Sequence, residues 1–338
     1  MKLGLIGCGG VARLGHLPGI QSAEGVDIHA ICDINEENLR NVQKEFEVPH
    51  AFTDIDAFLD SGIEAATVTS GTKAHHQNVL EASRAGLAVL CEKPLALNRE
   101  DCATMMAAMK KADAPLYTAF CYRFSASALK IRELIRQKAI GDLRSLRLIY
   151  TWCYGKKYED GIGSTIRKAY EDRMLEGGPM LDCGQHQIDL ARWWVGSEVI
   201  DVKGHGAWVE NYEAPDHIWA HLTHDNGAHS AVEMSYSYGH TCKEWLNEFV
   251  YELIGTEGVI RYDRFRETLL LHNGESSREF VYTYSKDFGA MYEEFSRAVE
   301  TGGSDLLASD QDGVRAVEIA QAATAQAIEE HNQRSTGM

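Results

Sequence analysis

The sequence predicts an α/β protein in which a doubly wound, parallel-sheet domain is followed by an α+β domain. Two observations support this prediction. The first 120 residues alternate short apolar runs with segments at helical spacing, and the chain after residue 121 is rich in short β-runs joined by turns. A length of 338 residues suffices for about two domains. We therefore place the domains at residues 1–121 and 122–338.

The N-terminal domain is predicted from strand candidates that are apolar throughout rather than alternating. Such runs are expected when helices cover both faces of a parallel sheet. The strand candidates are residues 3–7, 26–33, 64–71, 87–92 and 114–120. Helical spacing is found between them over residues 35–45, 74–85 and 98–111, which gives a series of βαβ units.

The C-terminal domain is predicted to contain an antiparallel sheet, because its strand candidates follow one another through turns such as Asp225-Asn226-Gly227 and His272-Asn273-Gly274. The strand candidates are residues 143–153, 199–209, 217–223, 229–237, 247–254, 258–263 and 267–271. The expected helices are 127–138, 180–195, 288–300 and 310–331.

The composition argues against several classes of partner. The formal net charge is −17, which disfavours nucleic acid and anionic membrane surfaces because both require clustered Lys and Arg. No apolar stretch approaches the ~20 residues of a membrane span. The eight cysteines form no Cys-x-x-Cys pair and no zinc-like cluster, so we expect reduced thiols in a cytoplasmic protein.

The first strand candidate runs directly into Gly7-Cys8-Gly9-Gly10-Val11-Ala12, the pattern Gly-x-Gly-x-x-Ala. In a dinucleotide-binding Rossmann domain Gly7 permits the tight turn, Gly9 the close approach of the pyrophosphate, and Ala12 the packing of helix on strand. Asp33 ends the second strand 21 residues beyond Ala12, where an acid binds the adenosine ribose hydroxyls. Its carboxylate would repel the 2′-phosphate of NADP, and no Arg follows at 34–37, so NAD is favoured over NADP.

The sequence Glu92-Lys93-Pro94 ends the strand candidate 87–92. Ligands of open α/β sheets bind beyond the carboxyl ends of the strands, so Lys93 is predicted to point toward the nicotinamide end of the dinucleotide. A surface lysine is the alternative when Lys93 is considered alone. The sequence leaves open whether the Lys93–Pro94 bond is cis.

Asp182 and His186 lie four residues apart in LDCGQHQIDLARWW, just after Gly177-Gly178-Pro179. Residues at this spacing share one face of a helix, and Pro suits a first helical turn. Three interpretations are open: half of a metal site, a structural pair in which Asp182 holds a core histidine, or an acid–base pair. A metal needs a further ligand, and no spacing among the 14 histidines points to one. The acid–base interpretation, with no metal, is therefore favoured.

Together these stretches resemble the glucose–fructose oxidoreductase, inositol dehydrogenase and rhizopine-catabolism family, usually shortened to Gfo/Idh/MocA. The resemblance covers nearly the whole chain in order. Its matching stretches are residues 4–20, 31–39, 75–97, 121–143, 177–194 and 254–260. It implies an open, mostly antiparallel C-terminal sheet that mediates homodimers or homotetramers. It also implies that the catalytic residues are Lys93, Asp182 and His186.

The glycine pattern and the resemblance together imply a set of cofactor contacts. These are Gly7, Gly9, Gly10, Val11, Ala12, Asp33, Ser70, His75, Glu92 and Lys93. One departure from the family is the turn Thr69-Ser70-Gly71-Thr72, where a Thr-Pro turn is often found on the nicotinamide side. Cofactor contacts at this turn are correspondingly less defined.

Residues 154–174 are predicted to shape the substrate pocket, because this segment is Gly-rich, has no clear period and leads into the helix of His186. Its local excess of positive charge fits an anionic substrate group, although a solvated loop of mixed charge is favoured. The candidate substrate contacts are Arg123, Trp152, Tyr154, Arg167 and Arg173. Aromatic residues on strands more often belong to a core or an interface.

Three functions are consistent with these patterns. The leading hypothesis is an NAD-dependent dehydrogenase that oxidises a ring hydroxyl of a sugar, an inositol-like polyol or a sugar derivative. The second is an NAD-dependent glycoside hydrolase of the same family, which oxidises, eliminates, adds water and returns the hydride. The third is a non-catalytic NAD-binding regulator, which has no need for Lys93, Asp182 and His186 together.

Overall fold

The computed structural model describes residues 1–153, 163–282 and 285–336, except for the side chains of 163–167 and 335–336. The chain forms two compact units. Unit 1 comprises Met1–Ser125 and Lys286–Val317, and unit 2 comprises Ala126–Ser285 and Glu318–Met338. The sequence-based division has a single boundary after residue 121, whereas the chain returns to unit 1 at Lys286.

Unit 1 contains a seven-stranded sheet in the order β15-β6-β5-β4-β1-β2-β3, with strands numbered along the chain. The strands are β1 Lys2–Ile6, β2 Asp27–Cys32, β3 His50–Phe52, β4 Ala65–Val68, β5 Ala88–Cys91, β6 Leu116–Thr118 and β15 Ala308–Ser309. Neighbouring strands are parallel except β15, which is antiparallel to β6. Every residue of β4 and β5 is buried, which explains their continuous apolar runs.

The helices of unit 1 begin with a π-helical turn, Ala12–His16, that continues into α1. The helices are α1 Leu17–Ser22, α2 Glu36–Phe46, α3 Ile55–Leu59, α4 Thr72–Arg84, α5 Arg99–Lys111 and α10 Phe288–Thr301. Asn35, Asp54 and Asn98 cap α2, α3 and α5 through side-chain oxygens that accept backbone N–H groups. The returning segment joins this unit because α10 packs against α1 and β15 extends the sheet.

Unit 2 contains an eight-stranded sheet in the order β14-β13-β12-β11-β7-β10-β9-β8. The strands are β7 Leu143–Thr151, β8 Val199–Ala207, β9 His217–His224, β10 His229–Ser235, β11 Glu248–Gly255, β12 Gly258–Asp263, β13 Thr268–Asn273 and β14 Ser277–Val281. The helices are α6 Ala126–Arg136, α7 Gly163–Leu175, α8 Gly178–Leu181, α9 Gly184–Val195 and most of α11 Asp310–Thr336.

The predicted fold class is confirmed: a doubly wound sheet in one unit and a mostly antiparallel sheet in the other. The exception in the second sheet is the parallel pair of β7 and β10. A parallel pair needs a long crossover rather than a hairpin, and the chain between β7 and β10 includes α7 to α9. The predicted helix 180–195 is interrupted between Leu181 and Gly184.

Candidate functional site

The glycine-rich turn of unit 1 has the geometry that the sequence pattern requires. Gly7 has a φ of +101°, and a side chain there would collide with the backbone of Ser70. Gly9 is different, because a Cβ on it would meet nothing within 4 Å. The turn is therefore tight at Gly7 and open at Gly9, which leaves room for a ligand to approach the backbone.

Asp33, just beyond β2, is bonded to the glycine-rich turn. Its Oδ2 accepts the N–H of Cys8 at 2.6 Å, and its Oδ1 accepts the N–H of Asn35 at 2.7 Å. Burial, followed by the negative charge of Asp33, raises the pKa of the Cys8 thiol to about 12. The carboxylate is thus fixed in orientation beside the turn by two backbone donors.

A cavity of about 550 Å³ lies in unit 1 beside this turn. It is lined by residues from the ends of β1, β2 and β4, including Gly7, Gly9, Asp33 and Ser70. This is the switch point of the strand order, where β1 lies between β2 and β4 and where doubly wound sheets bind their ligands. The lining also includes Ile34, Thr53, Asp54 and Asn78, which the sequence pattern does not indicate as cofactor contacts.

The open backbone at Gly9, the cavity and the oriented carboxylate of Asp33 fit a dinucleotide. Gly7, Gly9, Gly10, Val11 and Ala12 would hold its pyrophosphate at the start of the helical segment. Gly10 and Val11 are exposed, and Ala12 is buried, as its predicted role in packing the helix on the strand requires.

Two further residues predicted to contact the cofactor lie at neighbouring turns. Ser70 lines the cavity, and its hydroxyl accepts the Asn78 amide N–H at 2.8 Å. His75 is 1% exposed, with Nδ1 2.9 Å from the Pro94 carbonyl and Nε2 3.0 Å from the Ser70 carbonyl. Burial lowers the pKa of His75 despite these bonds. His75 therefore lies between two turns, with one carbonyl oxygen facing each of its ring nitrogens.

The Glu-Lys-Pro turn follows β5, and its Lys93–Pro94 bond is cis. Glu92 is 6% exposed and its Oε2 accepts the backbone N–H of Lys93 at 3.0 Å. Burial alone would raise the pKa of Glu92, but the hydrogen bond and charge of His16 and the charge of Lys93 lower it. The Glu92 carboxylate is therefore ionised and fixes the backbone at Lys93.

In unit 2, Asp182 lies in the break between α8 and α9, and His186 lies in the first turn of α9. The spacing alone predicted one continuous helix through both residues. Gly177 and Gly178, with φ values of +120° and +74°, start α8 in a conformation that the sequence did not reveal. His186 is 4% exposed.

Asp182 is held by side chains from other elements. The hydroxyl of Tyr236, just after β10, donates to Asp182 Oδ2 at 2.6 Å, and Arg173 Nε of α7 is 3.7 Å from the same oxygen. Burial, followed by the charge of Asp182, raises the pKa of Tyr236 well above its ordinary value. Tyr236 is therefore a neutral donor that orients the carboxylate.

In unit 2, aromatic residues pack around Tyr236, the side chain that donates to Asp182. Tyr236 packs in a cluster with Tyr170, and Trp152 lies against it with ring centroids 5.4 Å apart. Trp152, which the sequence predicts as a substrate contact, therefore lies against Tyr236, the residue that donates a hydrogen bond to Asp182. Tyr154 and the side chain of Arg167, also predicted as substrate contacts, lie outside the described residues.

Arg123 does not have the environment expected of a substrate contact. Its side chain is almost completely buried in unit 1, where Nη2 is 3.2 Å from Asp312 Oδ2 and Nη1 donates to the Leu307 carbonyl at 3.2 Å. Arg173 also has a partner, since its Nη1 donates to Glu176 Oε2 at 2.7 Å. Both guanidinium groups therefore form ion pairs with carboxylates of the same chain.

Clustered metal ligands and membrane-spanning helices are both absent from the part of the chain that the structure describes. Over 1–153, 163–282 and 285–336, no three His, Cys, Asp or Glu side chains are grouped as metal ligands. Within the same ranges, no helix combines the length and apolarity that crossing a bilayer requires.

The doubly wound sheet, the glycine-rich turn and the acid after β2 define a dinucleotide-binding Rossmann domain of the kind found in NAD-binding oxidoreductases. A family model described as "Oxidoreductase family, NAD-binding Rossmann fold" matches residues 1–120, and one described as "GFO/IDH/MocA C-terminal domain" matches residues 128–261. The chain belongs to the Gfo/Idh/MocA family and is an oxidoreductase with an NAD-binding Rossmann domain.

Curated relatives extend over nearly the whole chain. Myo-inositol 2-dehydrogenase of Thermotoga maritima is 27% identical, with 96% of this chain and 95% of that protein covered. Scyllo-inositol 2-dehydrogenase (NAD(+)) of Bacillus subtilis is 25% identical, with 93% and 91% covered. The crystal structure of a probable dehydrogenase from Thermotoga maritima superposes with a TM-score of 0.81 at 26% identity, covering 98% and 97%.

Proposed function

We propose that this protein is an NAD-dependent dehydrogenase that oxidises a ring hydroxyl of a neutral sugar, an inositol-like polyol or a sugar derivative. The observation that carries the proposal is the cavity at the glycine-rich turn, open at Gly9 and lined by the oriented Asp33 carboxylate. The names of the two inositol dehydrogenases that align over nearly the full chain support the substrate class.

The preference for NAD over NADP is argued from charge. Asp33 and Asp54 both line the cavity. A 2′-phosphate on the adenosine ribose would meet two carboxylates in place of the cation that usually accommodates it. Like charges at about 4 Å cost on the order of 4 kcal/mol at an effective dielectric of 20. Even a strongly screened fraction of this cost favours NAD.

The proposed chemistry assigns one role to each of three side chains. When bound, NAD would supply the acceptor for the hydride that leaves the substrate carbon. His186 takes the hydroxyl proton, a role that suits an imidazole whose ordinary pKa is close to neutral pH. Lys93 hydrogen-bonds the same oxygen and stabilises its developing negative charge. Asp182, oriented by Tyr236, adds a polar contact to the substrate.

A neutral substrate is favoured over an anionic one. Arg123 is paired with Asp312, and Arg173 is paired with Glu176 and lies close to Asp182. Neither guanidinium brings the uncompensated positive charge that an anionic group would require. The partly buried indole ring of Trp152, which packs edge-to-face against the buried Tyr236, instead offers a flat surface of the kind on which a sugar ring packs.

The proposal is tested by following NADH formation with purified protein across a panel of inositols, aldoses, sugar acids and glycosides. Parallel reactions contain NADP. We expect turnover with NAD on at least one free inositol or aldose and weaker turnover with NADP. A protein that binds NADH but releases product only from glycosides, with no net NADH, would instead be a hydride-recycling glycosidase. NADH binding with no turnover of any kind would indicate a regulator.

The role of His186 is tested by His186→Ala. A positioned general base contributes about 10²–10⁴ to the rate, so we expect kcat to fall by about that factor while the Kd for NADH stays unchanged. Turnover at the level of the unsubstituted protein would contradict the assignment.

We also propose that the protein is a cytoplasmic homodimer or homotetramer assembled through the sheet of unit 2, whose edge strands require cover. All eight cysteines lie in the described ranges and none forms a disulfide, as expected in a reducing compartment. Light scattering during size-exclusion chromatography tests the assembly, and a monomer at micromolar concentration would contradict it.

A further inference from the structure

A line of hydrogen bonds runs through the interior of unit 1 and ends at the Glu-Lys-Pro turn. His16, the last residue of the π-helical turn, is fully buried. Its Nε2 lies 2.8 Å from Glu92 Oε1, and its Nδ1 lies 2.5 Å from the Tyr292 hydroxyl. The other oxygen of Glu92, Oε2, accepts the backbone N–H of Lys93. One carboxylate therefore connects His16 to the backbone of Lys93.

The directions of these bonds determine the number of protons on His16. The Leu90 carbonyl only accepts, so the Thr67 hydroxyl donates its single proton there at 3.1 Å. The Tyr292 hydroxyl donates its single proton to Thr67 at 3.1 Å. The Tyr292 oxygen then accepts from Nδ1–H of His16, while Nε2–H donates to the ionised Glu92. Every bond is satisfied only when the ring carries both protons.

We infer that His16 is a positioning residue: as an imidazolium it holds the Glu92 carboxylate, and Glu92 holds the backbone of Lys93. A buried ion pair is a costly way to pack a core, and an apolar side chain could fill the space against Phe288, which already lies 4.8 Å from the His16 ring. The positive charge of His16 also offsets the negative charge of Glu92 next to Lys93. This inference rests on the proposed role of Lys93.

The test compares His16→Asn, Lys93→Met and the double variant with the control His29→Asn. His29 lies on β2, and its Nε2 is 3.0 Å from the Ser61 carbonyl, in a different part of the same sheet. Deuterium exchange of the peptide 92–97 is measured in the NADH-bound proteins and needs no substrate. Turnover is measured with myo-inositol and NAD, and a double-mutant cycle isolates the coupling between the two sites.

We expect His16→Asn to speed exchange of the peptide 92–97 at least tenfold, to lower kcat at least tenfold, and to change the Kd for NADH less than threefold. In the Lys93→Met background it should lower the residual turnover no further. Unchanged exchange at 92–97 would overturn the inference, as would an equal loss of turnover with and without Lys93. Full turnover by Lys93→Met would instead overturn the proposed function, and exchange would still test the link from His16 to Lys93.

Discussion

Gly7 and Gly9 satisfy different physical requirements, although the sequence pattern presents them as equivalent glycines. Gly7 is required by the fold, since a side chain would collide with the backbone of Ser70. Gly9 faces open space and is required only if a ligand comes close to its backbone. Substitutions at the two positions therefore separate folding from ligand binding.

We expect Gly9→Ala to leave the melting temperature within about 2 °C and to weaken NADH binding at least tenfold, because the added methyl occupies the approach of the pyrophosphate. NADH fluorescence titration and calorimetry measure the two effects. Gly303→Ala is the matched control, because that position in the same unit also has nothing within 4 Å of a Cβ. Unchanged NADH binding by Gly9→Ala would place the pyrophosphate elsewhere.

Asp54 provides a second test of the cofactor site, with little risk to the fold. It caps α3 by accepting the N–H of Ala57 at 2.8 Å, and Asn caps helices equally well. A like charge at a distance on the order of 6 Å in water costs about 0.7 kcal/mol. We therefore expect Asp54→Asn to shift the ratio of kcat/KM for NAD over NADP toward NADP by about threefold.

The control for Asp54 is Asp56→Asn, which removes a negative charge from the first turn of the same helix without altering the lining of the cavity. An equal shift in both variants would mean that net charge, rather than the position of Asp54, sets the preference.

Sequence reasoning identified Asp33 because a fixed distance from the glycine turn and a strand end define its position. The sequence does not indicate Asp54, His16 or the contact of Tyr236 with Asp182, because these side chains reach their partners only through tertiary packing. Tyr236 lies 54 positions from Asp182, and Tyr292 lies 276 positions from His16. No local spacing connects residues so far apart along the chain.

Among the elements, long periodic segments were predicted well and short or interrupted ones were not. The helices α2, α4, α5 and α10 lie within one or two residues of their predicted positions. The strands β3, β14 and β15 and the helix α3 were not predicted, and neither was α7, whose 13 residues fall in a segment with no clear apolar period. β3 has three residues and α3 has five, which is too short for a period to be recognised. The break at Asp182, where φ is −85° and ψ is −90°, is not indicated by the four-residue spacing of Asp182 and His186.

The 3₁₀ turn Cys121–Phe124 shows how an element can change the interpretation of a residue. The sequence placed Arg123 beside the substrate, whereas the turn points it into unit 1 toward Asp312. We expect Arg123→Met to lower the free energy of unfolding by about 3–5 kcal/mol, because a partly buried carboxylate loses its partner. Urea denaturation at pH 7.5 measures the loss.

Arg13→Met is the control for Arg123→Met. Arg13 pairs with Glu45 at 2.5 Å, but both side chains are about half exposed, so the cost should stay below about 1 kcal/mol. If Arg123→Met raised KM for the substrate while leaving stability intact, Arg123 would be a substrate contact, as the sequence first indicated.

At the scale of the whole molecule, buried histidines in both units make stability depend on pH. His224 donates from Nδ1 to the Ser197 carbonyl at 3.1 Å and accepts at Nε2 from the Ser230 hydroxyl at 2.7 Å, which satisfies a neutral ring. Burial lowers the pKa of His224 and of His75 in the folded protein. As pH falls below the ordinary histidine value of about 6.5, the unfolded state takes up protons that the folded state does not.

We therefore expect the free energy of unfolding, measured by urea denaturation, to fall between pH 7 and pH 5.5. One such group contributes at most about 1.4 kcal/mol per pH unit. His224→Gln should reduce the slope, whereas His272→Gln, at an exposed position on β13 of the same sheet, should leave it unchanged. Identical slopes in His224→Gln and the unsubstituted protein would show that another group titrates.

The cysteines differ in exposure, so their reaction rates can report on opening of the folded protein. Cys242 is exposed and Cys183 half-buried, whereas Cys8, Cys32, Cys91, Cys102, Cys121 and Cys153 are buried. Burial raises the pKa of Cys8 and Cys121 to about 12 and that of Cys32 to about 11, so these thiols stay protonated and unreactive near neutral pH. A maleimide dye would attach first at Cys242, without any cysteine having been removed. The six buried thiols would react only when the fold opens, so their labelling rates would report how often it opens. Added NADH should slow labelling most at Cys8, which lies in the glycine-rich turn, and at Cys32, which lines the cavity.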